Sequence, residues 1–145
     1  EHFLVPEVIM PDPKTVLLVE DEDFLVILQT EWLERLGYNV IAVSSGERAI
    51  EVTQTAAAID LILMDINLGC GMSGLEAASA ILKNRDIPVV FLSSHMGEEV
   101  MEETRKITPY GYVVKDGDKT ALCARVKTAM KLHEARRGLK EKRPL

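Results

Sequence analysis

The sequence predicts an α/β fold, a parallel five-stranded sheet with helices on both faces. Three observations carry that expectation. Five short apolar runs, at about 15–20, 38–43, 61–64, 87–92 and 110–114, read as strands, and uninterrupted runs of this kind suit strands buried on both faces. Segments with helical spacing alternate with them, as parallel βαβ units require. All five runs stop at an acid, a serine or a lysine, which is unusual company for a buried strand, although the serines after the second serve no obvious chemistry.

Each element follows from local chemistry. TVLLVE (15–20) is the first strand, ending in Glu20 and Asp21. From Glu22 to Leu36 the residues Phe24, Leu25, Leu28, Trp32, Leu33 and Leu36 follow helical spacing, with Trp32 and the leucine stripe read as core and Gly37 as the stop. YNVIAV (38–43) is the second strand, and Ser44 or Ser45 can cap a helix running to about Thr55. The third strand carries Leu61 to Met64 and is closed by Asp65, while Ser73 can cap the helix bearing Leu75, Ala78, Ile81 and Leu82. IPVVFL (87–92) stops at Ser93 and Ser94, and GEEVMEETRKIT (97–108) reads as a short acidic helix. YGYVV (110–114) ends at Lys115, and a last helix beginning near Asp118 keeps Leu122, Val126, Ala129 and Met130 on one face.

Composition narrows the function classes. The 145 residues hold 17 Lys and Arg against 23 Asp and Glu, a net charge of −6, which argues against binding a nucleic-acid backbone. No stretch approaches the roughly 20 apolar residues of a membrane helix, and the acidic N-terminus is not a secretory signal. Cys70 and Cys123 are too few and too isolated for a disulfide framework or a cysteine-rich metal site, so the expected setting is reducing and cytoplasmic.

The strand ends carry the chemistry. Ligands of open α/β sheets bind beyond the carboxyl ends of the strands. If the first and third strands are neighbours, Glu20, Asp21 and Asp65 converge there, and carboxylates that close repel unless a cation neutralises them. A hard divalent ion such as Mg²⁺ suits oxygen ligands of this type. Lys115 adds a positive point charge, and Ser93 a hydroxyl donor. Acids, an ion, an ammonium and a hydroxyl suit phosphoryl chemistry, with a carboxylate as the nucleophile.

LLVEDE (17–22), LILMDINLG (61–69), PVVFLSS (88–94) and GYVVK (111–115) together resemble the receiver domain of two-component response regulators and hybrid sensor kinases. The resemblance covers about residues 14–134 and implies a flavodoxin-like (βα)5 sheet of order 2-1-3-4-5. By position it makes Asp65 the phospho-acceptor, with Mg²⁺ (or Mn²⁺) held by Glu20, Asp21, Asp65 and the backbone carbonyl of Asn67. It makes Ser93 and Lys115 the phosphate-binding pair, Tyr112 the aromatic switch, and Asn67 and His95 the residues that tune the phosphoryl lifetime. There are departures from the family pattern. Glu20 stands where Asp is frequent, the loop GCGMSG (69–74) has Gly for a usual proline and one residue more, and Asp116 replaces the proline after Lys115. The resemblance therefore leaves the path of that loop open and does not carry over a cis peptide at 115–116.

The resulting expectation is a signalling module and not an enzyme. Asp65 takes a phosphoryl group from a histidine kinase or phosphotransfer protein, and the face of the fourth helix, fifth strand and fifth helix changes partners, homodimerisation included. A haloacid-dehalogenase-type phosphohydrolase would want an acid where Asn67 stands, and a docking module that takes no phosphate would have little use for the full acid set with Lys115. Residues 1–13 read as an irregular lead-in or a short docking segment, and 135–145 as a basic tail, a solvated helix end or a linker. The missing initiator Met and the charged tail favour a piece cut from a longer sensor kinase over a stand-alone regulator. His133 is read as a helix-surface histidine, and Cys70 as a bystander of the site.

Overall fold

A computed structural model describes residues 13–55, 58–94, 97–115 and 118–142. The element order is β1 (Thr15–Val19), α1 (Asp23–Arg35), β2 (Asn39–Val43), α2 (Gly46–Thr55), β3 (Leu61–Asp65), α3 (Gly74–Leu82), β4 (Val89–Ser93), α4 (Glu98–Ile107), β5 (Tyr112–Val114) and α5 (Lys119–Lys142). All strand pairs are parallel, in the order β2-β1-β3-β4-β5. The expected fold class and strand order are both present.

Side chains alternate across a strand, so each run of consecutive apolar residues feeds two cores. Leu17, Val19, Ile62, Met64, Val89 and Phe91 face α2 and α3. Val16, Leu18, Leu61, Leu63, Val90 and Leu92 face Leu33 of α1 and Leu122, Val126 and Met130 of α5. Helix boundaries follow their signals. Gly37 stops α1 at a φ of 94°, the Ser45 hydroxyl accepts from the Arg48 amide, and Ser73 with Glu76 forms a reciprocal capping box on α3.

One expectation about the first helix needs correction. Leu36, part of the leucine stripe read as core, is exposed at 36%, as are Phe24 at 72% and Ile27 at 69%, while Gln29 and Leu33 are the fully buried residues of α1. The segment FLVIL (24–28) is apolar at every position, so it carries no phase information about which side faces the sheet. Of the readings open for the basic tail, the helix end is the one present, because α5 continues unbroken to Lys142. Among the described residues no helix is long and apolar enough to cross a membrane.

Loop 69–74, whose path the sequence leaves open, is pinned at both ends. Gly69 and Gly71 take positive φ, the Met72 amide donates to Glu47 Oε2 of α2 at 3.0 Å, and the Gly74 amide donates to the Ile66 carbonyl at 2.9 Å. Gly74 sits directly against the Asp65 main chain, so a Cβ there would collide with the Asp65 carbonyl oxygen and come within 2.9 Å of Ile66 Cα. Backbone cannot yield as a side-chain tip can. Gly74→Ala is therefore expected to cost about 3 kcal/mol or more in urea-unfolding stability. Gly138→Ala, in open space on α5, should instead gain up to about 1 kcal/mol. Equal effects from the two substitutions would contradict this packing.

Candidate functional site

Register brings the polar strand ends together. β1 lies between β2 and β3, with Val19 opposite Met64, so Glu20 and Asp21 follow β1 beside Asp65 at the end of β3. Asp65 is opposite Leu92 and Ser93 is opposite Val114, which sets Ser93 and Lys115 at the same end of the sheet. The Lys115 amide extends the ladder by donating to the Ser93 carbonyl at 2.8 Å. Strand alternation then sorts the side chains. Glu20, Asp65 and Lys115 share the parity of Leu18, Leu63 and Val113, which face α1 and α5. Ser93 shares the parity of Val89 and Phe91, on the opposite side.

The centre is the Lys115 ammonium. Its three donors are matched by three carboxylate oxygens: Asp65 Oδ2 at 2.9 Å, Glu20 Oε2 at 3.0 Å and Glu22 Oε1 at 3.0 Å. Glu20, Asp65, Ser93 and Lys115 are all buried, whereas Asp21 and Glu22 are exposed at the mouth. Main-chain donors complete the acids. The Asn67 amide donates to Asp65 Oδ1 at 3.0 Å, and the Glu22 amide to Glu20 Oε2 at 3.2 Å.

Burial sets the electrostatics. It pushes the Glu20 carboxyl up to about 7, against the Lys115 hydrogen bond and with the help of the Asp65 charge. Burial also raises Asp65, opposed chiefly by Lys115. For Lys115 burial works against the charged form, but the hydrogen bonds it donates to Asp65, Glu20 and Glu22 outweigh it and hold the ammonium above its ordinary range. Four acids around one ammonium leave an excess of negative charge that a divalent cation can neutralise.

The residues fit such a cation. One oxygen each of Glu20, Asp21 and Asp65 lie within 4.8 Å of one another. Glu20 Oε1 is buried without a hydrogen-bond partner, a lone pair in want of a positive neighbour. An all-oxygen set of carboxylates is what a hard ion prefers.

Of the residues singled out in the sequence, Glu20, Asp21, Asp65 and Lys115 converge as expected, and Ser93 adjoins them through the ladder. Asn67 reaches the cluster through its amide. Tyr112 is set apart, half-buried against the core on the α3 side with its hydroxyl directed at the Met101 sulfur of α4, 3.9 Å away. His95 lies outside the described residues, as does Asp116 of the 115–116 peptide. Glu22 is the ligand of Lys115 that sequence reasoning missed. The triple acid run EDE (20–22) is its only sequence signal. His133 is not a surface residue: it is buried, with Nδ1 2.8 Å from the Tyr110 hydroxyl and Nε2 donating to the Asp86 carbonyl at 3.2 Å. Cys70 is exposed and free.

Comparison with known proteins agrees with this geometry. Residues 16–127 match the family described as response regulator receiver domain. The transcriptional regulatory protein YvrH of Bacillus subtilis is 32% identical over 118 residues, 81% of this chain and 49% of that protein. The autoinducer 1 sensor kinase/phosphatase LuxN of Vibrio harveyi is 35% identical over 109 residues, 74% of this chain and 13% of that one. The chain thus spans half or less of the length of these relatives. Among solved structures, the N-terminal domain of a response regulator/sensory box/GGDEF three-domain protein from Carboxydothermus hydrogenoformans is 41% identical. It has a TM-score of 0.79 and covers 85% of this chain and 98% of that one. A CheY-like receiver domain from Methanospirillum hungatei shares the fold at a TM-score of 0.80 and 20% identity, over 86% of this chain and 98% of that one. With the sheet order, the acid cluster and a match over most of its length, the chain belongs to the response regulator receiver domains of two-component signalling systems.

Proposed function

We propose that Asp65 is the phospho-acceptor and that it takes its phosphoryl group from a phosphohistidine on a kinase or phosphotransfer protein. The observation that carries this is the buried Asp65 carboxylate hydrogen-bonded to Lys115 beside Glu20 and Asp21. Glu20, Asp21, Asp65 and the Asn67 carbonyl would hold Mg²⁺ (or Mn²⁺). When bound, that ion neutralises charge on the phosphoryl oxygens. An Asp65 oxygen is the nucleophile, the Lys115 ammonium meets the incoming negative charge, and the Ser93 hydroxyl donates a hydrogen bond to a phosphoryl oxygen. Asn67 and His95, flanking the site in sequence, tune the lifetime of the acyl phosphate.

The output is a change of partner on the face of α4, β5 and α5, with Tyr112 following Ser93 from its place against Met101. Moving such a switch from mostly off to mostly on takes about 5.5 kcal/mol. A charge-assisted hydrogen bond contributes roughly 1.5–3 kcal/mol, so Ser93 and Lys115 must act together. A phosphohydrolase reading has no support, since Asn67 has no carboxyl to serve as general acid. The donor protein has a ready landing place. Phe24 and Ile27 expose large apolar side chains on α1, directly after the acids that ring the site.

Incubation with Mg²⁺ and a small phosphodonor should add about 80 Da, one HPO₃ unit, to the intact chain. The adduct should vanish in Asp65→Asn. Sustained ester turnover, or an undiminished adduct in that variant, would refute the assignment. The site's charge balance also predicts a pH signature. Glu20 is raised in the folded state from 4.5 to about 7, so the folded chain holds the extra proton and chelator-treated protein should lose stability as pH rises across that interval. Asp65 is shifted in the same direction, while Lys115, raised above 10.5, contributes no slope there. The melting-temperature gain on adding Mg²⁺ should therefore grow between pH 5 and pH 8, and Glu20→Gln should flatten the chelator-treated profile. A gain independent of pH would contradict this. Finally, Phe24→Ala with Ile27→Ala should slow transfer from a phosphorylated donor protein about tenfold or more, leaving the rate with the small donor unchanged. Equal slowing with both donors would remove α1 as the landing place.

A further inference from the structure

At the end of the sheet opposite the acids, a cavity of about 510 Å³ lies under the C-terminal half of α5. Its size falls within the range of real ligand sites. The floor is apolar, with Leu82, Ile87 and Ile107 beneath Tyr110, and the buried Tyr110–His133 pair forms its back wall. Leu139 stands at the mouth with 69% of its surface exposed. The rim is basic. Arg136 stacks over the Tyr110 ring at 5.2 Å, and among the described residues no acid pairs with Arg137 or Lys140, although both line the cavity. The acids nearby are engaged: Asp86 lies 3.6 Å from His133, Glu134 pairs with Lys14 at 2.8 Å, and Asp60 accepts from the Thr15 amide.

The chain enters the domain at this corner. A smaller hollow of about 100 Å³, lined by Lys14, Asp60 and Met130, shares Asp86, His133 and Arg137 with the large cavity. Lys14 is thus one side chain away from the groove. The residues before it read EHFLVPEVIMPDP, apolar apart from His2 and the acids Glu1, Glu7 and Asp12 and free of Lys or Arg. Glu7 lies seven residues before Lys14, about 24 Å of extended chain. The six residues from Glu134 to Lys140 rise only about 9 Å along a helix. The segment is long enough, apolar enough and of the right charge.

We propose that residues 1–12 dock in cis into this groove, with apolar side chains from Phe3–Met10 on the Leu82–Ile107 floor and Glu7 against Arg137 and Lys140. The tether makes the docking intramolecular, so a modest intrinsic affinity suffices. The docked segment straps the part of α5 that continues past the sheet, and it stiffens the helix by which the chain leaves the domain. The strap is independent of phosphoryl transfer.

The test compares the full chain with one starting at Pro13, by amide and side-chain NMR and hydrogen exchange. Removal should shift Tyr110, His133 and Leu139 and speed exchange over 133–140 about tenfold or more, while the acid end of the sheet stays unchanged. Glu7→Arg and Arg137→Glu should each reproduce the shortened chain, and the double charge swap should restore the full-length pattern. A difference that appears only as chain concentration is raised would mean docking onto a second copy and would overturn the cis strap. Identical spectra for the long and short chains, or no rescue by the swap, would also overturn it.

Discussion

One ammonium group organises the carboxyl end of the sheet. Lys115 Nζ touches Asp65, Glu20 and Glu22 within 3.0 Å, and the first two of those acids are fully buried. Burying any of these charges alone would be costly, and removing one partner of a buried set typically costs about 3–5 kcal/mol because the others lose their counter-charge. The cluster is therefore held in tension. It is stable enough to fold around, yet negative overall, with Asp21 and an unpartnered Glu20 oxygen still open to a cation. The Asp65 carboxylate is thereby fixed in place beside oxygens that can still take a cation. The fold exists to deliver these residues, since three parallel strands end at the same level only if their apolar runs are in register.

Much of this was legible in the amino-acid order. Runs such as LILM (61–64) and PVVFL (88–92) need burial on both faces, and the helices between them supply it, so fold class and the site acids followed from local pattern. The Ser73–Glu76 capping box was equally local. What escaped depended on distance in sequence or on lost phase. Glu22 becomes a site residue only because a lysine 93 positions away reaches back to it. His133 looks like any polar residue on a basic helix, and its burial is imposed by Tyr110 and Asp86, which arrive from β4 and β5 connections. The five-residue apolar run of α1 hid which of its residues face water. Phe24 and Ile27 do, and Gln29 takes the interior place with a side-chain amide that makes no hydrogen bond.

The two ends of the sheet divide the work. The carboxyl end concentrates negative charge and polar buried groups, whereas the amino end gathers the chain entry, the long helix and a basic, half-apolar groove. The Lys14–Glu134 ion pair ties the residue just before β1 to the second half of α5. Loop 69–74 is the other point of close fit. There Glu47 of α2 and the bare Cα of Gly74 hold the start of α3 against the main chain of Asp65.

The main-chain bond between Ser93 and Lys115 has a mechanical meaning. Their side chains point to opposite faces of the sheet, yet a 2.8 Å rung rivets the two backbones, and β5 is an edge strand of only three residues with no further strand on its outer side among the described residues. A shift of the main chain at Ser93 is thus shared by β5 through a peptide group that no side-chain replacement removes.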